Sequence, residues 1–166
     1  MSQHLVYVGI GSNIEQEKYI RSGVQALQER FEKLQLSPVY KTQAIGFDGD
    51  DFYNLVASFY TKHSPFGVEK ILKEIEHHNG RRRDQEKFSA RTLDIDLLLY
   101  DQQIIHNDGV NIPRDEIEKY AFVLSPLADL SPDLIHPKTG HSILTMWQQL
   151  KGKKDSGTLE KINFNW

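Results

Sequence analysis

The stretch RTLDIDLLLYD, residues 91 to 101, carries Asp94 and Asp96 two positions apart inside a run whose Leu and Ile content is that of a buried strand. Side chains alternate along a strand, so residues two apart share a face. The two carboxylates then stand side by side, while Leu93, Ile95 and Leu97 point into the opposite layer. Ionised carboxylates at that spacing repel, and partial burial raises the cost unless a cation or an arginine is supplied. A hard divalent cation answers both demands, because Mg²⁺ takes one or two carboxylates and completes its shell with water and phosphate oxygens. Taken alone, Asp-x-Asp is more often a solubilising pair on a solvent-facing edge.

Directly upstream stand Arg81, Arg82, Arg83, Lys87 and Arg91. Guanidinium groups grip phosphate oxygens in pairs and stay charged at any working pH. Arg81 to Arg83 in isolation could equally complement the negative end of the preceding helix dipole. Cations beside paired acids call for a partner bearing both phosphate and metal, and a magnesium-bound nucleoside triphosphate is the simplest one. The common nucleotide motifs are missing: there is no G-x-x-x-x-G-K-[ST], and GIGSNI opens like a dinucleotide fingerprint but has Ile14 where the last glycine belongs. No H-E-x-x-H occurs, and His77 and His78 read as solvated residues near a helix end. Phosphate binding here must use side chains.

The elements that hold these residues follow from pattern. HLVYVGIGSN is a strand, and helical spacing runs through Ile20, Val24, Leu27 and Phe31, slightly weakened by Gly23. LSPVYKT and FYNLVASFYT read as strands flanking the Gly- and Asp-rich QAIGFDGDD. A second helix begins with Ser64 as N-cap and Pro65 in its first turn, and stops at a left-handed Gly80. After the acidic strand come a short helix and buried segment in RDEIEKYAFVLSPLADLSP, a helix through ILTMWQQL and a short KINFNW ending. Strand, helix, two strands, helix, strand is the order of an α+β ferredoxin-like βαββαβ sandwich, with helices on one face of an antiparallel sheet and additional C-terminal helices and strands.

The chain has 166 residues, 39% hydrophobic and 26% charged, with a net charge of -3 and no cysteine. One globular domain over 1–166 is expected. The small negative charge, with a pI near 6.2, argues against broad adhesion to nucleic acid or anionic membrane. The absent cysteines remove thiolate zinc sites and thiol nucleophiles. MSQHLVYVGIGSN has no basic leader and too short an apolar run for a span, so a cytoplasmic protein is expected.

Four segments in order, GIGSN, YKTQAIGFDGDDFYN, EIEHHNGRRRDQEKFSARTLDIDLLLYD and AFVLSPLADLSPD, resemble the signatures of 6-hydroxymethyl-7,8-dihydropterin pyrophosphokinase, the folate-biosynthesis enzyme that moves pyrophosphate from ATP to a pterin hydroxymethyl. The resemblance implies that Asp94 and Asp96 hold two Mg²⁺ ions on the ATP phosphates, and that Arg81 and Arg91 are catalytic. Glu76, Arg83, Arg91 and Leu97 fall on ATP-contacting positions, joined by Arg114 and Lys119, which bring positive charge where the family pattern is lost. The pterin positions are Thr42, Ala44, Ile45, Phe52, Asn54, Phe88 and Phe122. Aromatic faces suit a flat heterocycle, and an asparagine offers a donor and an acceptor to its amide-like edge. Without that resemblance, Phe52 and Phe122 read as core, and Thr42 and Asn54 as turn residues.

The implied partners are ATP and the hydroxymethyl-dihydropterin, with no nucleic acid or membrane and a monomeric state. An arginine from the 80–91 loop is expected to close over the phosphates and exclude water. The chain departs from the family where Pro113-Arg114 replaces Pro-His, Tyr120 replaces an arginine, Phe88-Ser89-Ala90-Arg91 replaces Trp-Gly-Pro-Arg, and Gln43 and Ala44 replace prolines. Those changes motivate a second reading, a paralogue that binds nucleotide or pterin with little catalysis. A third is an RNA-binding ferredoxin-like domain using sheet aromatics and the Arg cluster.

Overall fold

The computed structural model describes residues 3–42, 51–80, 92–107, 109–152 and 159–166. The first strand is β1 (His4–Ser12) and the helix after it α1 (Gln16–Arg30). The helix stops before its apolar spacing does. Phe31 is already extended at φ -133°, and Glu32–Leu36 leaves the helix to pair with a neighbouring strand as β2. The expected strand LSPVYKT is split at Pro38, which has no N–H for a ladder, into the end of β2 and β3 (Val39–Thr42). Then follow β4 (Phe52–Thr61) and α2 (Pro65–His78). The ends of α2 are as read: the Ser64 hydroxyl accepts the Gly67 N–H at 3.1 Å, and Gly80 sits at φ +83° beyond its last turn.

The acidic strand is β5 (Asp94–Tyr100). A hairpin that sequence pattern did not reveal, β6 (Ile105–Asn107) and β7 (Val110–Ile112), leads into α3 (Glu116–Lys119) and α4 (Ala121–Leu130). The chain ends with α5 (Ile143–Lys151) and β8 (Leu159–Ile162).

The main sheet runs β5-β1-β4-β3-β8, with β2 also paired to β4, and its ladders are antiparallel. This is the expected ferredoxin-like sandwich, with β2 and β3 sharing one strand's role. Helices cover both faces, however. On one face α1 and α2 enclose Val8, Ile10, Ala57, Phe59, Ile95 and Leu97. On the other, α4 and α5 enclose Tyr7, Val56, Leu98 and Leu99. The expectation of helices on one face therefore holds only for the βαββαβ unit. The apolar run of β4 has the same explanation, because a strand buried on both faces loses its alternation. Gly23 also gains a reason: a Cβ there would lie 3.0 Å from Leu93, so its absence lets α1 settle against the residue that leads into β5.

Candidate active site

The register decides what shares a face. Gly11 on β1 lies opposite Asp94 on one side and Asn54 on the other, and Asn54 lies opposite Tyr40. One step away Gly9 lies opposite Asp96, and Phe52 pairs with Thr42. Asp94, Asp96, Asn54, Phe52 and Thr42 therefore share the sheet face that α4 partly covers, and β1 puts no side chain between the acids and the asparagine. That is the use of the G-x-G in GIGSN. A Cβ at Gly11 would sit 2.7 Å from Asn54 Oδ1, whose amide nitrogen donates to Thr42 Oγ1 at 3.2 Å.

β5 is also an edge strand, whose outward backbone groups need partners. The Ile95 N–H donates to Glu76 Oε2 at 2.8 Å, and the Leu98 carbonyl accepts the Arg114 N–H at 3.0 Å. Covering this edge brings Glu76 and Arg114 to the acids. One carboxylate oxygen from each of Glu76, Asp94 and Asp96 lies within 4.8 Å of the others. Three converging oxygen donors suit a hard cation such as Mg²⁺. Burial, reinforced by the charge of Asp94, pushes the Asp96 carboxyl well above the usual carboxylate range; Arg114 opposes this, and Glu116 and Glu76 add to it.

Arg114 places one terminal nitrogen 3.1 Å from Glu116 Oε1 and 3.5 Å from Asp96 Oδ1. Burial pulls the guanidinium downward, but the charges of Asp96, Glu116 and Asp94 outweigh it and hold its pKa above the usual value. Glu69 on α2 joins the same field. Burial raises its pKa against the pull of Lys73 and Arg114, and Asp94 adds to the rise. Sequence reasoning missed Glu69 and Glu116. Glu69 carried a signal, since it precedes Glu76 by about two helical turns and so shares its side of α2. Glu116 had none beyond its nearness to Arg114.

The remaining expected residues divide clearly. Phe122 is half-buried at the start of α4, its ring stacked on Tyr120 at 5.0 Å, so the residue that replaces an arginine backs an aromatic wall instead. Lys119 is exposed at the end of α3, and His77 and His78 are exposed as expected. Leu97 has its side chain 1% exposed within the α1–α2 core, facing away from the acids, which leaves its backbone on the β5 edge as the part that faces their side of the sheet's rim. Arg81, Arg83, Phe88, Arg91, Ala44 and Ile45 lie outside the described residues.

Comparison with known proteins bears on the family and the fold. The family described as 7,8-dihydro-6-hydroxymethylpterin-pyrophosphokinase matches residues 7–132. The 2-amino-4-hydroxy-6-hydroxymethyldihydropteridine pyrophosphokinase of Aquifex aeolicus is 34% identical over 134 residues, covering 80% of this chain and 83% of that protein. The Pseudomonas aeruginosa protein of the same name is 37% identical over 143 residues, covering 82% and 86%. Among solved structures, wild-type Plasmodium falciparum HPPK-DHPS superposes with a TM-score of 0.70 at 12% identity, over 89% of this chain and 45% of that one. Its complex with pterin and p-hydroxybenzoate gives 0.71 at 13%, over 90% and 42%. The chain thus spans less than half of those larger proteins, and at that identity the likeness is one of fold.

Proposed function

The chain belongs to the 7,8-dihydro-6-hydroxymethylpterin-pyrophosphokinase family, and from that premise we propose how its own residues perform the reaction. The activity is transfer of the β,γ-pyrophosphoryl group of ATP to the hydroxymethyl of 6-hydroxymethyl-7,8-dihydropterin, with release of AMP, in folate biosynthesis. The observation that carries the assignment of roles is the shared face: the acids of β5 and the Asn54–Thr42 pair look across a strand that offers only glycine. Two strand spacings, roughly 10 Å, separate β5 from β4. A pterin held at Asn54 can therefore extend its hydroxymethyl toward Asp94.

In this reading Asn54 and Thr42 take the amide-like edge of the pterin, and Phe52 and Phe122 hold its faces, with Ala44, Ile45 and Phe88 completing the pocket. Asp94 and Asp96 would hold two Mg²⁺ ions, with Glu76 as a third carboxylate, and the charge on the triphosphate oxygens would be neutralised there. Arg83, Arg114 and Lys119 grip the phosphates, while Arg81 and Arg91 neutralise charge on the group in transfer. The pterin alcohol oxygen bonds to the β-phosphorus in line as the bond from that phosphorus to the α,β-bridging oxygen breaks. Little covalent work falls to the protein, so rate comes from positioning and charge neutralisation. Asp94, nearest the pterin along the glycine row, assists loss of the alcohol proton.

No helix among the described residues is long and apolar enough to cross a membrane. A single-domain, monomeric, cytoplasmic enzyme without a nucleic-acid partner is the state we propose. The RNA-binding reading is disfavoured by the net charge of -3 and by paired acids that would repel a phosphate backbone. Incubation with Mg-ATP and hydroxymethyl-dihydropterin tests the reading: AMP and pterin pyrophosphate are expected. ADP would mean an ordinary kinase, and no turnover with retained pterin binding would mean the non-catalytic paralogue.

A further inference from the structure

The geometry points to Arg114 as a built-in competitor of the divalent cation for Asp96, with Glu116 as the alternative partner that takes the guanidinium when the cation is bound. This inference rests on the metal reading of Glu76, Asp94 and Asp96. Arg114 is well anchored at its base. Its backbone N–H is bonded to Leu98 on the sheet edge, and the two residues before it, Ile112 and Pro113, are buried.

The Arg114 nitrogen that faces Asp96 at 3.5 Å is the one that faces Glu116 at 3.1 Å, and the Nε atom is buried without a hydrogen-bond partner among the described residues. A guanidinium committed to one carboxylate uses its planar fork, two parallel N–H groups on two oxygens. Here one nitrogen is shared between two acids instead, the arrangement of a group with two places to go. Charge balance sets the direction. Around Asp96 gather Asp94, Glu76 and Glu116 with Arg114 as the one guanidinium among the described residues, so the cluster has room for more positive charge. A divalent cation and a guanidinium on the same carboxylate repel each other. Entry of one favours withdrawal of the other toward Glu116. Withdrawn from Asp96, the guanidinium can turn to a phosphate oxygen, which joins its counter-ion role to the ATP-binding role proposed above.

Mn²⁺ titration of the whole, nucleotide-free chain, followed by the electron paramagnetic resonance of free Mn²⁺, tests this. Arg114→Gln should tighten Mn²⁺ binding by about fivefold to tenfold, and Glu116→Gln should weaken it by about threefold. In the Arg114→Gln background the effect of Glu116→Gln should largely vanish, since Glu116 acts through Arg114; such non-additivity is the mark of a coupled pair. Arg114→Lys, which keeps the charge, should stay within about twofold of the parent and so separates the charge effect from any misfolding of the neutral variant. An equal effect of Glu116→Gln in both backgrounds, a mere long-range field, overturns the proposal. So does unchanged affinity in Arg114→Gln, or an equal gain in Arg114→Lys. If Asp96→Asn binds Mn²⁺ as the parent does, or if no variant binds it even with a non-hydrolysable ATP analogue, the metal reading falls and this inference falls with it.

Discussion

Replacing Gly11 by alanine adds one methyl group to the strand between the acids and the Asn54 amide. The new Cβ would lie 2.7 Å from Asn54 Oδ1, where ordinary contact begins near 3.4 Å, and the next atom it meets, the Tyr53 carbonyl, is comfortable at 3.7 Å. The strain therefore falls on the Asn54 amide. That amide can retreat only by turning about its side-chain torsions, and its other end is tied to Thr42 at 3.2 Å, already long for an N–H···O bond. Losing the bond costs about 1 kcal/mol, and an off-rotamer side chain about 1 kcal/mol more. Expressed in the bound state, about 2 kcal/mol is roughly a 30-fold fall in kcat/KM for the pterin. The KM for ATP should move little. The melting temperature should also hold, because alanine recovers part of the penalty that glycine imposes on a strand. Steady-state kinetics with each substrate varied, beside a thermal melt, provide the assay. Gly9→Ala is the control, since its Cβ would meet only Leu98 carbons at 3.6 Å or more and should leave pterin KM within about twofold. Two outcomes refute the reasoning: a Gly11→Ala enzyme with the parent's pterin KM, or the same Gly11→Ala penalty in an Asn54→Ala background, where the clashing atom is gone.

Asp96→Asn should lower Mg²⁺-dependent turnover by about 100-fold or more. It should also raise the melting point in EDTA by about 2–4 °C per kcal/mol relieved, since burial and Asp94 penalise the ionised carboxylate; a lower melting point would contradict that sign. Glu76→Gln keeps an acceptor for the Ile95 N–H, so its fold should persist while Mn²⁺ affinity falls about tenfold. Glu76→Ala should lose a further ~1 kcal/mol of stability in urea titrations by orphaning that N–H. His136 is fully buried, and its Nδ1 accepts the Lys138 and Thr139 N–H groups at 3.1 Å. Burial, which outweighs the opposing charge of Glu118, lowers its pKa, with Lys138 adding to the fall. The unfolded chain then takes up its proton first as pH falls, so stability present near pH 7.5 is lost as pH drops through about 6.5 toward the lower folded value. His136→Asn should shrink the difference between urea midpoints at pH 7.5 and 5.5; an unchanged difference would absolve this ring.

Local chemistry was legible in the sequence wherever one segment was enough to define it. Strand alternation put Asp94 and Asp96 together and Leu93, Ile95 and Leu97 behind them, and the structure agrees residue by residue. Ser64, Pro65 and Gly80 marked the ends of α2 because capping is decided within a turn. The order of elements gave the sandwich. The apolar spacing of α1 continues through Phe31, past the end of the helix, because the pairing of Glu32–Leu36 with β4 is a competition no local pattern records.

What the sequence alone determined is the inventory: which side chains can bind phosphate, metal and a flat heterocycle, and which strand carries the acids. Only the tertiary structure decided how they meet. Strand order puts β5 at the sheet edge, so its unpaired Ile95 N–H and Leu98 carbonyl recruit Glu76 and Arg114 from 19 residues before Ile95 and from beyond a hairpin. Ladder register sets Gly11 of β1 between Asp94 and Asn54, and Gly9 beside Asp96, so an incomplete dinucleotide motif leaves the sheet face between them clear of side chains. Hydrogen bonds between strands, and the field of charges brought close by folding, depend on distances through space, which spacing along the chain does not encode.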